Sequence, residues 1–179
     1  MPIIISMLRG INVSGQKRVP MAELKELYED LKFKNVTTYI QSGNVVFSSD
    51  ISDAKVLLKK IEEKIFKQFG FEVPVIIRTP KEMQSAIKNN PFLKEKNIDA
   101  ERLYITFLSD TPAKDKLEKI QEYHFEPDRF IIKGKEVYLY CPISYGNSKL
   151  NNNFFENKLK ITATTRNWKT VNELVRIAL

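Results

Sequence analysis

The chain has 179 residues, 42% of them hydrophobic and 11% aromatic, with a formal net charge of +7 at pH 7. This size and apolar content suit one large domain or two small halves sharing a core, and exclude an intrinsically disordered chain. No apolar run approaches the roughly 20 residues that cross a bilayer, and the single cysteine, Cys141, excludes an internal disulfide and a thiolate metal cluster.

The first run, Ile3 to Arg9, is short and rich in isoleucine and predicts a buried strand. It is too short, and lacks a preceding basic segment, to read as a signal peptide, so the expectation is a soluble cytoplasmic protein without a membrane partner. After a glycine-containing loop, Pro20 fits the first turn of a helix, where its missing N–H costs nothing. Met21, Leu24, Leu27, Tyr28 and Leu31 then recur at helical steps. "NVTTYIQ" and "NVVFSS" flank Ser42-Gly43 and predict a hairpin around a two-residue turn. Ala54, Leu58, Ile61, Ile65 and Phe69 mark a second helix, stopped by Gly70, and "EVPVIIR" (Glu72 to Arg78) is a fourth strand. That order, βαββαβ, is the split-βαβ or ferredoxin-like unit.

The pattern then partly repeats. "TPKE" (Thr79 to Glu82) supplies a capping box that opens a short helix. "RLYITFLS" reads as a strand and Pro112 to Tyr123 as a helix with Leu117 and Ile120 inward. "DRFIIK" and "EVYLYC" form a hairpin around Lys133-Gly134-Lys135, and helical sequence is expected from there to the end. The predicted fold class is therefore α+β, with two ferredoxin-like halves, 1–78 and 79–179, packed without a flexible linker and the second ending in helices.

Three stretches carry candidate chemistry. In "LRGINVSGQKRVP", Gly10 and Gly15 have the spacing of a P-loop, but Gln16 stands at the lysine position and Lys17 at the hydroxyl position. What remains is a glycine-bearing basic turn before a helix N-terminus, which either attracts an anion or is simply a solvated turn. In "PISYGNSKLNNNFFENKL", Ser148 is the expected N-cap, which would put Lys149 in the first helical turn, where the dipole disfavours a cation unless an anion is also present. Asn151 to Asn153 are poor helix formers and suit a hydrogen-bonding surface. In "ATTRNWKTVNEL", Thr165 or Asn167 is the expected cap of the last helix. Arg166 and Trp168 at its entrance would either clamp a phosphate and stack on a base, or anchor the helix in the core. His124, the only histidine, reads as a surface or helix-end residue, with no second histidine or cysteine for a metal site. Cys141 reads as a buried small hydrophobe.

"LRGINVSGQKRVPMAEL", "TYIQSGNVVF", "YITFLSD", "EVYLYCPISYGNSKLNN" and "ATTRNWKTVNEL" resemble the bacterial family catalogued as domain of unknown function 1697. Arg9, Gly10, Asn12, Gln41, Ser42, Gly43, Asn44, Ser148, Lys149, Leu150, Arg166, Asn167 and Trp168 match its motif positions, while Ser144 stands where a glycine is usual. The resemblance implies an α+β fold of two ferredoxin-like halves and no established activity, substrate or cofactor.

The charge excess sits at the two ends. Residues 1–18 hold Arg9, Lys17 and Arg18 without an acid, and residues 129–179 hold nine basic and three acidic side chains. If the ends meet in space they form a basic face, on which Arg9, Lys149 and Arg166 would converge. The expected function is binding of a phosphate-bearing ligand, a nucleotide or single-stranded nucleic acid, through Arg9, Gly10, Asn12, Lys17, Ser148, Lys149, Asn152, Arg166, Asn167 and Trp168. No cofactor or metal is expected, and no catalytic constellation is recognisable. The alternatives are an enzyme acting on a small anionic metabolite, held by Arg9, Lys149 and Arg166 with Ser148, Tyr145 or a carboxylate from elsewhere in the chain near the chemistry, and a protein-interaction module. A concave, partly apolar cleft would favour the enzyme; a flat basic surface would favour nucleic acid.

Overall fold

In a computed structural model covering all 179 residues, the chain begins with β1 (Ile3–Leu8), α1 (Met21–Asp30), β2 (Lys34–Tyr39), β3 (Asn44–Ser48), α2 (Ala54–Phe69) and β4 (Val75–Arg78). These strands make an antiparallel sheet in the order β2-β3-β1-β4, the arrangement expected of a ferredoxin-like unit. The helices cover it because their apolar stripes face it. Leu24, Leu27 and Tyr28 of α1 and Leu57, Ile61 and Ile65 of α2 are buried with Val45, Phe47 and Val75. Burial of Tyr28 is tolerable because its hydroxyl meets Ser6 Oγ at 2.8 Å, and desolvation pushes its pKa upward. Asp53 caps α2 by accepting from the N–H groups of Lys55 and Val56, and left-handed Gly70 ends it as expected. The β2–β3 hairpin departs from expectation: Tyr39 pairs with Asn44, so residues 40–43 form the loop rather than a two-residue turn.

The chain continues through α3 (Pro80–Lys88), β5 (Leu103–Leu108), α4 (Lys114–Ile120), β6 (Arg129–Lys133), β7 (Glu136–Tyr140), α5 (Asn152–Leu159), β8 (Ala163–Asn167) and α6 (Trp168–Ala178). The Thr79 capping box forms in both directions, Thr79 N–H to Glu82 Oε2 at 2.8 Å and Glu82 N–H to Thr79 Oγ1 at 3.1 Å. Helix α4 is shorter than the predicted Pro112 to Tyr123. The second sheet runs β6-β7-β5-β8, again antiparallel. Its core holds Leu108, Val137, Leu139, Leu150, Phe155 and the buried Cys141.

Strand β8 corrects the expectation of continuous helix after the second hairpin. Threonine and arginine at 164–166 fit a pleated edge, and pairing with β5 satisfies their backbone. No loop separates this strand from α6, so the change of period leaves no punctuation in the sequence. The second half is thus a complete βαββαβ unit rather than a truncated one.

Comparing registers exposes a repeat that is faint in sequence. Arg78 pairs with Ile5 on β1, and Arg166 pairs with Ile105 on β5. Each arginine is buried, and each donates from Nη1 to the carbonyl of the preceding residue, Ile77 at 2.9 Å and Thr165 at 3.0 Å. Each is followed by a residue that caps a helix, Thr79 for α3 and Asn167 for α6. By contacts the chain divides into two units, residues 1–84 with 173–179 and residues 85–172, so the divisions fall within α3 and α6 at corresponding points.

Candidate functional site

The opening loop folds as a miniature hairpin rather than a phosphate cradle. Ser14 and Gly15 both have positive φ, 52° and 74°, which defines a type I′ turn, and Gln16 N–H closes it on Val13 O at 2.9 Å. Asn12 N–H reaches Lys17 O at 3.1 Å, so two amides of the loop are engaged within it. The Asn12 side chain fastens the base: its NH2 donates to Val19 O and Gln41 O, and its Oδ1 accepts from Val19 N–H. Two of the sequence motifs therefore meet at Asn12. Lys17 donates from Nζ to Glu72 O at 2.9 Å. Arg9 follows β1, where its N–H bonds Pro74 O, and it is half-buried, as is Gly10.

Ser148 is not the cap of α5. Asn151 is, accepting from Phe154 N–H at 2.9 Å, so Lys149 lies before the helix and the expected conflict with the dipole does not arise. The Ser148 hydroxyl instead donates to Asp128 Oδ2 at 2.7 Å and accepts from Leu150 N–H at 3.1 Å. Cys141 Sγ approaches the same oxygen at 3.8 Å, and burial pushes the Cys141 thiol up to about 11, away from reactivity at neutral pH. Ser148 is a tie between two loops.

Those loops bound a cleft of about 400 Å³, lined by residues 124–128 on one segment and by Ile143, Ser144, Asn147 and Lys149 on the other. The ammonium of Lys149 stands 5.8 Å from the centre of the Phe125 ring and forms no salt bridge. His124 is exposed, as the sequence suggests, and lines this cleft with Glu126 and Asp128. A second hollow of about 220 Å³ shares the 124–128 segment and adds Phe92, Tyr123, Phe130 and Arg129. Arg129 is held there by Glu95, at 2.8 Å, and by the Phe92 ring, at 5.0 Å.

The remaining residues singled out from the sequence lie on β8 and at the start of α6. Asn152 Oδ1 accepts from Thr165 Oγ1 at 2.7 Å, and Thr165 Oγ1 also meets Thr106 Oγ1. Arg166 is 6% exposed, with Nη1 on Thr164 Oγ1 and Thr165 O. Burial lowers its pKa to about 10, and the nearby Tyr145 opposes that shift. Asn167 accepts from Thr170 N–H and so is the cap, one of the two expected, while Trp168 is half-buried. Of the ten candidate binding residues, Lys149 alone lines the cleft, with Ser148 tying its two segments together. Glu126 and Asp128 carry no motif, and His124, which the sequence marks only as a surface or helix-end residue, lines the cleft beside them. The only pointer to Asp128 is its bond to Ser148, twenty residues away.

No helix is long and apolar enough to cross a membrane, and no cluster of three or more histidine, cysteine or acidic residues is arranged to hold a metal ion. No curated protein matches the chain. Among solved structures it is similar to the conserved bacterial protein SP0830 from Streptococcus pneumoniae, with a TM-score of 0.78 and 21% identity over 99% of each chain, a likeness of fold. The model of the family described as protein of unknown function (DUF1697) matches residues 1–138. That span takes in the opening loop, the first hairpin and the 124–128 segment, and on it the chain belongs to the DUF1697 family.

Proposed function

We propose that the protein binds a small phosphate-bearing ligand in the cleft beside Lys149. The observation that carries this reading is a concave site of about 400 Å³ in which a lysine without a salt bridge stands with the side chains of Ser144 and Asn147. That volume falls in the range of small-molecule sites. A single-stranded oligonucleotide would call for a groove that tracks its backbone, so the cleft favours a metabolite or mononucleotide. The Ser148–Asp128 bond supports the reading by fixing one segment against the other, which limits the order a ligand must impose on binding. The excess of positive charge near both ends, including Arg9, Lys17 and Arg166, supplies a field that draws anions towards the protein. The reading is one of binding. The Ser148 hydroxyl donates a hydrogen bond to Asp128 and accepts one from Leu150 N–H, an arrangement that ties the two loops together.

A thermal-shift screen of mononucleotides and phosphorylated metabolites, run on the wild-type protein and on Lys149→Gln, tests the proposal. A ligand at about 100 times its dissociation constant adds about 2.7 kcal/mol, equivalent to a rise of roughly 5–11 °C in a chain of this size. The expected result is a rise in the wild type that shrinks in Lys149→Gln. A panel without a hit, or a hit indifferent to Lys149, refutes it.

A further inference from the structure

We infer that the ligand of this cleft is a zwitterion, a small phosphate that also carries an ammonium group; the inference rests on the reading of the cleft as a phosphate site. The cleft lined by Lys149 is lined also by Glu126 and Asp128. These opposite charges do not neutralise one another directly, because no salt bridge joins Lys149 to either carboxylate. The ammonium rests against the Phe125 ring, and Asp128 is oriented by the Ser148 hydroxyl on its Oδ2.

Carboxylates only accept hydrogen bonds, whereas the lysine ammonium only donates. A ligand with negative charge alone would satisfy Lys149 and be repelled by two acids in the same small space. A ligand with positive charge alone would do the reverse. A molecule bearing both groups completes both sets of interactions and exposes neither protein charge to an uncompensated neighbour. Asn147 and Ser144, each able to donate and accept, suit the polar body between the two ends. The chemical class is an amino-phosphate.

The test is a titration of the isotopically labelled full chain, followed by amide NMR shifts, with three related probes. These are O-phosphoethanolamine, which carries both charges, ethyl phosphate, which lacks the ammonium, and ethanolamine, which lacks the phosphate. The expected result is that phosphoethanolamine binds at least about tenfold more tightly than either single-charge probe. Glu126→Gln, an exposed position, should narrow that preference and strengthen ethyl phosphate binding, because one of the two repelling acids is gone. Equal affinity for phosphoethanolamine and ethyl phosphate overturns the zwitterion and leaves the anion site standing. Equal affinity for phosphoethanolamine and ethanolamine, or a preference that survives Glu126→Gln, also overturns it. Failure of all three probes to shift any amide of the cleft overturns the anion site with it.

Discussion

Replacing Asn12 with alanine removes three hydrogen bonds at once. Its NH2 donates to Val19 O at 2.9 Å and to Gln41 O at 2.8 Å, and its Oδ1 accepts from Val19 N–H at 2.8 Å. At a net worth of about 0.5–1.5 kcal/mol each, with the exposed Gln41 bond at the low end, the loss is about 2–3 kcal/mol. Residue 12 also holds φ at 54°, a left-handed conformation that asparagine tolerates and alanine adopts at a cost of roughly 1 kcal/mol. The expected destabilisation is therefore about 3–4 kcal/mol, or a fall of roughly 6–16 °C in Tm. Asn12→Asp keeps the acceptor but sets a charge against two carbonyl oxygens, so it should be no milder. Gln41→Ala is the control. The bond uses the Gln41 carbonyl, so removing that side chain should change stability by less than about 0.5 kcal/mol. Circular dichroism in urea measures the global effect. Hydrogen exchange at the Val19 amide, which bonds Asn12 Oδ1, reports the loop itself. An Asn12→Ala protein within about 1 kcal/mol of wild type, with Val19 still protected, would refute the clamp.

Gly43 holds φ at 87°, and an added Cβ would lie 2.6 Å from Ile11 Cδ1 and 2.9 Å from Leu8 Cβ, whereas at Gly15, with φ at 74°, nothing lies within 4 Å. Gly43→Ala should therefore cost about 2–4 kcal/mol and Gly15→Ala only about 1 kcal/mol, a difference read directly from paired thermal melts. Ser148→Ala leaves Leu150 N–H without its acceptor and Asp128 without its donor, so a loss of about 1–3 kcal/mol is expected, together with weaker binding of any cleft ligand by titration. The Cys141 thiol, raised by burial from 9.0 to about 11, holds its proton in the fold across a window where the unfolded chain releases it. Stability from this group is thus complete below pH 9 and falls as pH rises towards 11, by on the order of 2 kcal/mol. Urea midpoints across that range should decline more steeply in the wild type than in Cys141→Ala.

The first half was legible because each element carries its own periodicity and its own stop: the α1 stripe from Met21 to Leu31, Gly70 after α2, the capping box at Thr79. Legibility failed where neighbouring elements share residues. Strand β8 runs into α6 with Asn167 serving as the last strand residue and the helix cap, so a threonine-rich strand passed for a helix entrance. The match of "VIIRTPKEM" with "ATTRNWKTV" would have revealed it, but only Arg78 with Arg166 and Lys81 with Lys169 are identical, and the register had to be known before they could be aligned. At the site, Lys149 was legible from its motif, though for the wrong reason, since it precedes the helix whose dipole was invoked. The acidic wall was not legible. Glu126 and Asp128 reach the cleft by tertiary folding, and a hydrogen bond across twenty residues leaves no local pattern.

Amide chemical-shift mapping of the full chain with ethyl phosphate and O-phosphoethanolamine tests the cleft most directly. The perturbed amides should cluster in residues 124–128 and 143–149, and Lys149→Gln should silence them. Shifts confined to the loop around Asn12 and Lys17, or spread evenly over the basic surface and lost on adding salt, would contradict it.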